Sequence, residues 1–144
     1  MKKDDLPKKL AVFPLSNFII FPETTVPLNI FEPRYIDLIN DSMKSDKLIG
    51  VIQPKPSKDS NPNNIPQLHE IGCMGKITSF KETEDNRYLI ELKGVIRFKI
   101  VNEIQSKKKY REYKIDFNAY HEDLERKKED IKFSDLELIF KDLK

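Results

Sequence analysis

One cysteine, two histidines and four glycines are all that the 144 residues hold of three residue types on which much protein chemistry depends. A lone Cys73 excludes an intramolecular disulfide framework, and with so few histidines the usual structural zinc sites lack soft ligands. The scarcity of glycine excludes a phosphate-cradling loop ending in Lys-Ser or Lys-Thr, so ATP hydrolysis has no support. No stretch approaches the roughly eighteen consecutive apolar residues of a membrane span, and Met1-Lys2-Lys3-Asp4-Asp5-Leu6-Pro7 is not followed by an apolar signal region. A surplus of one charge is missing too: 26 Lys and Arg face 24 Asp and Glu, a net charge of +2, so no general field draws the chain to nucleic acid or a membrane. These absences predict a protein of a reducing, cytoplasmic compartment, with no membrane contact, no metal and no cofactor.

What is present suits one domain with a short appendage: 38% of residues are hydrophobic, enough for a single core. Short β-branched and aromatic runs bounded by Pro, Gly and Asn predict several strands of a mixed, mainly antiparallel sheet or small barrel, with one helix between them. The runs are Leu10 to Phe13, Phe18 to Phe21, Thr25 to Ile30 (with Pro27 marking an edge or bulge), Leu48 to Gln53, Cys73 to Phe80, Tyr88 to Leu92, Ile96 to Ile100, and Tyr110 to Tyr120. Pro33 predicts a helix start, with Glu32 at the cap, Phe31 stapled onto Ile36, and an amphipathic helix over about 33 to 44. Gly94 predicts a bulge between one strand and its continuation, and Lys81 to Asn86 a hairpin turn. Pro54 to Gln67 holds four of the nine prolines and reads as a loop.

Residues 9 to 120 thus form the β domain, and 121 to 144 a charged linker and the start of a helical segment. Glu122 to Lys132 carries five acids and four bases in eleven residues, the pattern of a solvated helix or linker. Ser134 caps a final helix with Leu136, Ile139, Phe140 and Leu143 on one face. About three turns are marginal without a docking surface, which points either to a shortened chain or to a helix that needs a partner.

Catalytic constellations do not emerge. His69 and Cys73 stand too far apart in an extended chain to pair, so they read as a loop histidine and a small buried thiol. Gly72-Cys73-Met74-Gly75 has no helix start or basic flank and reads as a strand-entry bulge. Asp59, Glu70, Glu82, Glu84 and Asp85 fall in loops or turns, where solvated roles dominate. Lys107-Lys108-Lys109-Tyr110-Arg111 is the sharpest basic run, with either RNA contact or an exposed turn as its reading.

Phe13-Pro14-Leu15-Ser16-Asn17, Phe21-Pro22, Pro27 to Tyr35, Ile71-Gly72 and Leu92-Lys93-Gly94-Val95-Ile96-Arg97-Phe98 resemble, in order and spacing, the N-terminal substrate-binding domain of the Lon protease family. Ile30-Phe31-Glu32-Pro33-Arg34-Tyr35 looks most like the stand-alone bacterial members, which lack the ATPase and peptidase domains. The resemblance implies a PUA-like β pseudo-barrel with an inserted helix and a helical extension. It also implies a non-catalytic module that recognises proteins or exposed peptide segments, with no catalytic residues to carry over.

The motif residues read as determinants of fold: Phe13, Phe21, Phe31 and Phe98 as core, Pro14, Pro22, Pro27 and Pro33 at element ends, Tyr35 on the buried helix face, and Gly72, Gly75 and Gly94 at bulges. Glu32 with Arg34 or Arg97 is expected to tie the helix to the barrel. The expected partners are unfolded or apolar-exposed protein segments, with a protease or ATPase as a further candidate partner. The expected contact residues are Phe18 and Ile20, because alternation turns half of the Phe18 to Phe21 run away from the core. An RNA-binding PUA-like module is the competing reading, and a small hydrolase the weaker third.

Overall fold

A short 3₁₀ turn, Lys3–Asp5, leads into β1 (Lys9–Pro14), β2 (Thr25–Ile30), α1 (Pro33–Met43), β3 (Leu48–Ile52), β4 (Ile71–Glu82), β5 (Tyr88–Ile104), β6 (Arg111–Asp116) and a 3₁₀ helix over Asn118–Glu125. This is a computed structural model, which describes residues 1–16, 20–55 and 67–125. The predicted terminal helix at 134 to 143, Phe18, Ile19 and most of the Pro54 to Gln67 loop lie outside the described residues.

The strand order is β2-β5-β4-β3-β1-β6, with β6 returning to pair with β5. Five strands therefore close into a ring, and β2 adds as a sixth along the first part of β5. Only the β1–β3 pair is parallel; α1 forms the crossover between β2 and β3. Leu10, Val12, Leu48, Ile52, Met74, Ile96, Phe98, Tyr113, Ile115 and Phe117 form the cluster inside the ring. A second cluster joins Tyr35, Leu38 and Ile39 of α1 to Phe13, Ile49, Val51, Ile77, Ile90 and Leu92 on the strands beneath. β3 is buried at all five positions because its two faces serve the two clusters. Its unbroken apolar run Leu48-Ile49-Gly50-Val51-Ile52 has this cause.

β5 supplies both clusters with residues of one parity, which an unbroken strand cannot do. The bulge resolves it. Met74 pairs with Ile96 and Gly75 with Gly94, so Val95 has no residue opposite and the pleat changes phase there. Ile90 and Leu92 then face α1, while Ile96 and Phe98 face the ring interior. The bulge predicted at Gly94 is present. Gly72, predicted at another, sits in regular pairing with Phe98, and its role is close packing: a Cβ there would lie 2.6 Å from the Val51 carbonyl oxygen.

α1 begins at Pro33, as predicted, and buries Tyr35, Leu38, Ile39 and Ser42. Lys47, in the left-handed region with φ 62°, turns the chain so that its N–H donates to the Ser42 carbonyl.

Three expectations require correction. Ile20 and Phe21 are not in a strand; Thr24 folds back on Phe21 through both its N–H and its hydroxyl, and Glu23, at φ 66°, donates its N–H to Gly94. Phe31 is 62% exposed and no part of the core, because Leu28 and Ile30 take the inward positions of β2 and parity turns Phe31 out. The linker reading fails over residues 122 to 125, where Asp123 is 1% exposed.

Candidate polypeptide-binding surface

β2, the first part of β5 and the second part of β4 extend beyond the ring as a three-stranded arm, with α1 packed on one face. Residues directly opposite in a ladder share a face. Asn29, Leu89 and Lys81 thus stand abreast on the face away from α1, and Phe31 follows at the end of β2. The Arg87 guanidinium lies 5.8 Å from the centre of the Phe31 ring while paired with Asp85 at 3.0 Å. Leu89 is 42% exposed. On the helix side of the same end, Phe80, 39% exposed, meets Tyr88 edge-on with ring centres 4.8 Å apart. The Tyr88 hydroxyl donates to Asn40 of α1 at 2.9 Å, which ties the arm to the helix. Phe31, Phe80 and Leu89 are three of the six large exposed hydrophobic residues among those described.

The arm is firmly rooted. Gly94 donates its N–H to Thr24 and accepts from Glu23, both at 2.8 Å, and a Cβ on it would lie 2.2 Å from the Phe21 carbonyl oxygen. Tyr110 donates its hydroxyl to Asp41 at the far end of α1; burial, with this carboxylate beside it, pushes its pKa up.

Of the residues singled out from sequence, Ile20 is 6% exposed and belongs to the cluster beneath α1, so its side chain is not at the surface. Phe13, Tyr35 and Phe98 are buried, Phe21 is half-buried, and the Phe13 and Tyr35 rings meet at a tilt of 56° with centres 4.4 Å apart. Pro14 closes β1, Pro22 lies in the turn before β2, and Pro33 opens α1. Glu32 and Arg34 do pair, at 3.1 Å, but the bridge is exposed and local and does not hold α1 to the ring. Arg97 pairs with Asp123 instead. Burial first, then the Asp123 charge, pushes the Cys73 thiol up to about 12, so it is a poor nucleophile at neutral pH.

Within the basic run, Lys108 bridges to Glu112 at 3.4 Å and Arg111 to Glu103 at 2.9 Å, so carboxylates already answer part of its charge. Among the described residues no group of three His, Cys, Asp or Glu is placed to hold a metal ion, and no helix is long and apolar enough to cross a membrane.

Phe80 and Leu89 were not expected at the surface. The signal was available in the hairpin: a strand that outlasts its core partners leaves its last apolar residues uncovered.

Residues 9–144 match the family model described as the ATP-dependent protease La (LON) substrate-binding domain. The chain belongs to the Lon substrate-binding domain family. It is similar to Lon protease 2 of Myxococcus xanthus, 28% identical over 105 residues, which is 73% of this chain and 13% of that protein. It is also similar to the Lon protease of Flavobacterium johnsoniae, 31% identical over 110 residues, 76% of this chain and again 13% of the relative. The chain therefore spans about one-eighth of the length of these curated relatives. The fold matches a Lon N-terminal domain protein from Xanthomonas campestris with a TM-score of 0.60 at 23% identity, covering 76% of this chain and 59% of the other. It matches the N-terminal domain of Mycobacterium avium complex Lon protease with a TM-score of 0.55 at 14% identity, covering 75% and 53%. In this family setting the ring, the inserted α1 and the arm are the framework of a substrate-recognition module.

Proposed function

We propose that this Lon-type domain is a non-catalytic, PUA-like module of the cytoplasm that holds unfolded or apolar-exposed protein segments on the end of its arm, at Phe31, Leu89 and Phe80. The observation that carries this reading is that three of the six large exposed hydrophobic residues among those described sit together at the end of the arm. Membership of a substrate-binding family supports it. Burying such a side chain is worth about 1.5–3 kcal/mol, so three of them support micromolar binding after association costs. The protease name of the relatives supports a protease or ATPase as working partner, with no peptide cleavage or ATP turnover by these residues themselves.

The test is an NMR titration of the full chain with an unfolded casein. Shifts at Phe31, Phe80 and Leu89 are expected, and replacing the three with Ser weakens binding at least about tenfold with little change in melting temperature. Phe18, proposed from sequence as a contact, is read in the same spectra. Binding unaffected by the triple substitution would remove the arm as the site.

A further inference from the structure

One edge of β5 changes partners along its length. β2 pairs with Tyr88–Lys93 and β6 with Lys99–Ile104, which leaves residues 94–98 facing neither strand over most of that interval. The Asp123 carboxylate fills the interval. Its Oδ2 accepts the Arg97 main-chain N–H at 3.0 Å and Nε at 2.9 Å, and its Oδ1 accepts Nη2 at 2.9 Å. The guanidinium then lies 4.8 Å from the centre of the Tyr120 ring. Tyr120 and Leu124, like Val95 and Ile100, pack against the cluster inside the ring.

A side chain thus does what a seventh strand would do. Among the described residues, the three bonds of Asp123 are the hydrogen bonds that tie 118–125 to β5, while Glu122 and Glu125 face water. A segment hydrogen-bonded to the ring through one side chain and packed on it by Tyr120 and Leu124, without a ladder, separates at a lower cost than a strand held by a full ladder. The bond is still a strong one, because a fork of two N–H groups and a peptide N–H converge on one carboxylate shielded from water.

We propose that residues 118–125 are a clip that opens as one unit while the ring stays folded, and that the Arg97–Asp123 contact sets how often it opens. Closed, the clip fixes the direction in which the chain leaves the ring at Glu125. Open, it frees that direction and uncovers the Arg97 peptide donor beside Val95 and Ile100. The hold of residues 118–125 on the ring is therefore set by a single carboxylate.

Hydrogen exchange on the full chain, read amide by amide, tests this. The amides of Arg97 and residues 119–125 are expected to exchange at one common rate, faster than those of β3 and β4. Asp123→Asn speeds that group by about tenfold or more and leaves β3 unchanged, because hydrogen bonds to a charged group are lost at the clip alone. Tyr120→Leu, which removes the ring over the guanidinium but keeps the packing, speeds it less. Where the Asn variant does not fold, Arg97→Lys, which keeps the charge and loses the fork, gives the same reading. Exchange of 119–125 at the β3 rate, equal acceleration of every amide, or no response to either substitution would each overturn the clip.

Discussion

Gly94 has no space for a side chain, and the obstacle is main chain. A Cβ would lie 2.2 Å from the Phe21 oxygen and 2.8 Å from its carbonyl carbon, atoms held by the turn that roots the arm. Gly50 is crowded as well, but its nearest obstacle is Leu10 Cδ2 at 2.8 Å, the far end of a flexible side chain. Gly94→Ala is therefore expected to cost about 3 kcal/mol and Gly50→Ala about 1 kcal/mol, read as urea midpoints of the two variants side by side. Equal losses would mean that the Phe21 turn yields as easily as a leucine methyl. Arg97 and Asp123 show the other face of single-residue legibility. One aspartate in a run dense in both charges looks solvated, and its partner Arg97 lies 26 residues earlier, alternating regularly with the buried residues of β5. No local pattern links positions so far apart.

Among the described residues, β2 is the one strand of the six with an unpaired side along its whole length. Because the Gly94 N–H donates to Thr24, alternation assigns Val26, Leu28 and Ile30 to bond β5, and Thr25, Pro27 and Asn29 direct their peptide groups outward. Pro27 therefore costs the ladder nothing and removes the central outward donor, which discourages a further strand from adding. Pro27→Val is expected to leave unfolding within about 1 kcal/mol of the parent yet to produce dimers and larger species as concentration rises, seen by light scattering on a sizing column. A variant that stays monomeric would show that something other than proline guards this edge. Pro27 as an edge marker, Pro33 as a helix start and Gly94 as a bulge were all legible in sequence, because each residue restricts the backbone by itself. The Phe18 to Phe21 run misled for the opposite reason. Apolar content says that a segment is buried, whereas the turn at Thr24 and the approach to Gly94 decide that Ile20 is buried and Phe21 half-buried as irregular chain. The exposure of Phe80 depends on where the core beneath α1 ends, which α1 decides from elsewhere in the sequence, while parity turns Phe31 and Leu89 to the face away from α1.

At the scale of the molecule, burial makes alkaline pH destabilising. The Cys73 thiol rises from its ordinary 9.0 to about 12, chiefly by burial, and the Tyr113 phenol from 10.0 to about 12, by burial and its bond to Glu103. Both stay protonated in the folded state at a pH where the unfolded chain has already lost those protons. Their contribution is full below the ordinary values and declines as pH climbs toward about 12. For the fully buried thiol the slope approaches about 1.4 kcal/mol per pH unit, so urea midpoints measured from pH 8 to 11 should fall, and less steeply for Cys73→Ala. Parallel curves for the two proteins would mean that the thiol ionises in the folded state without penalty. Ring closure has a further consequence, for biosynthesis. Lys9 pairs with Lys114 and Val12 with Arg111, so β1 waits through about a hundred residues of translation for its antiparallel neighbour. The β4–β5 hairpin is local and forms early, and α1 and β3 cover Phe13 before β6 exists, but Leu10 and Val12 lack Tyr113 and Ile115 of their cluster until β6 has been translated. A domain that we propose to receive unfolded chains is thus, for most of its own synthesis, itself a chain with uncovered apolar residues.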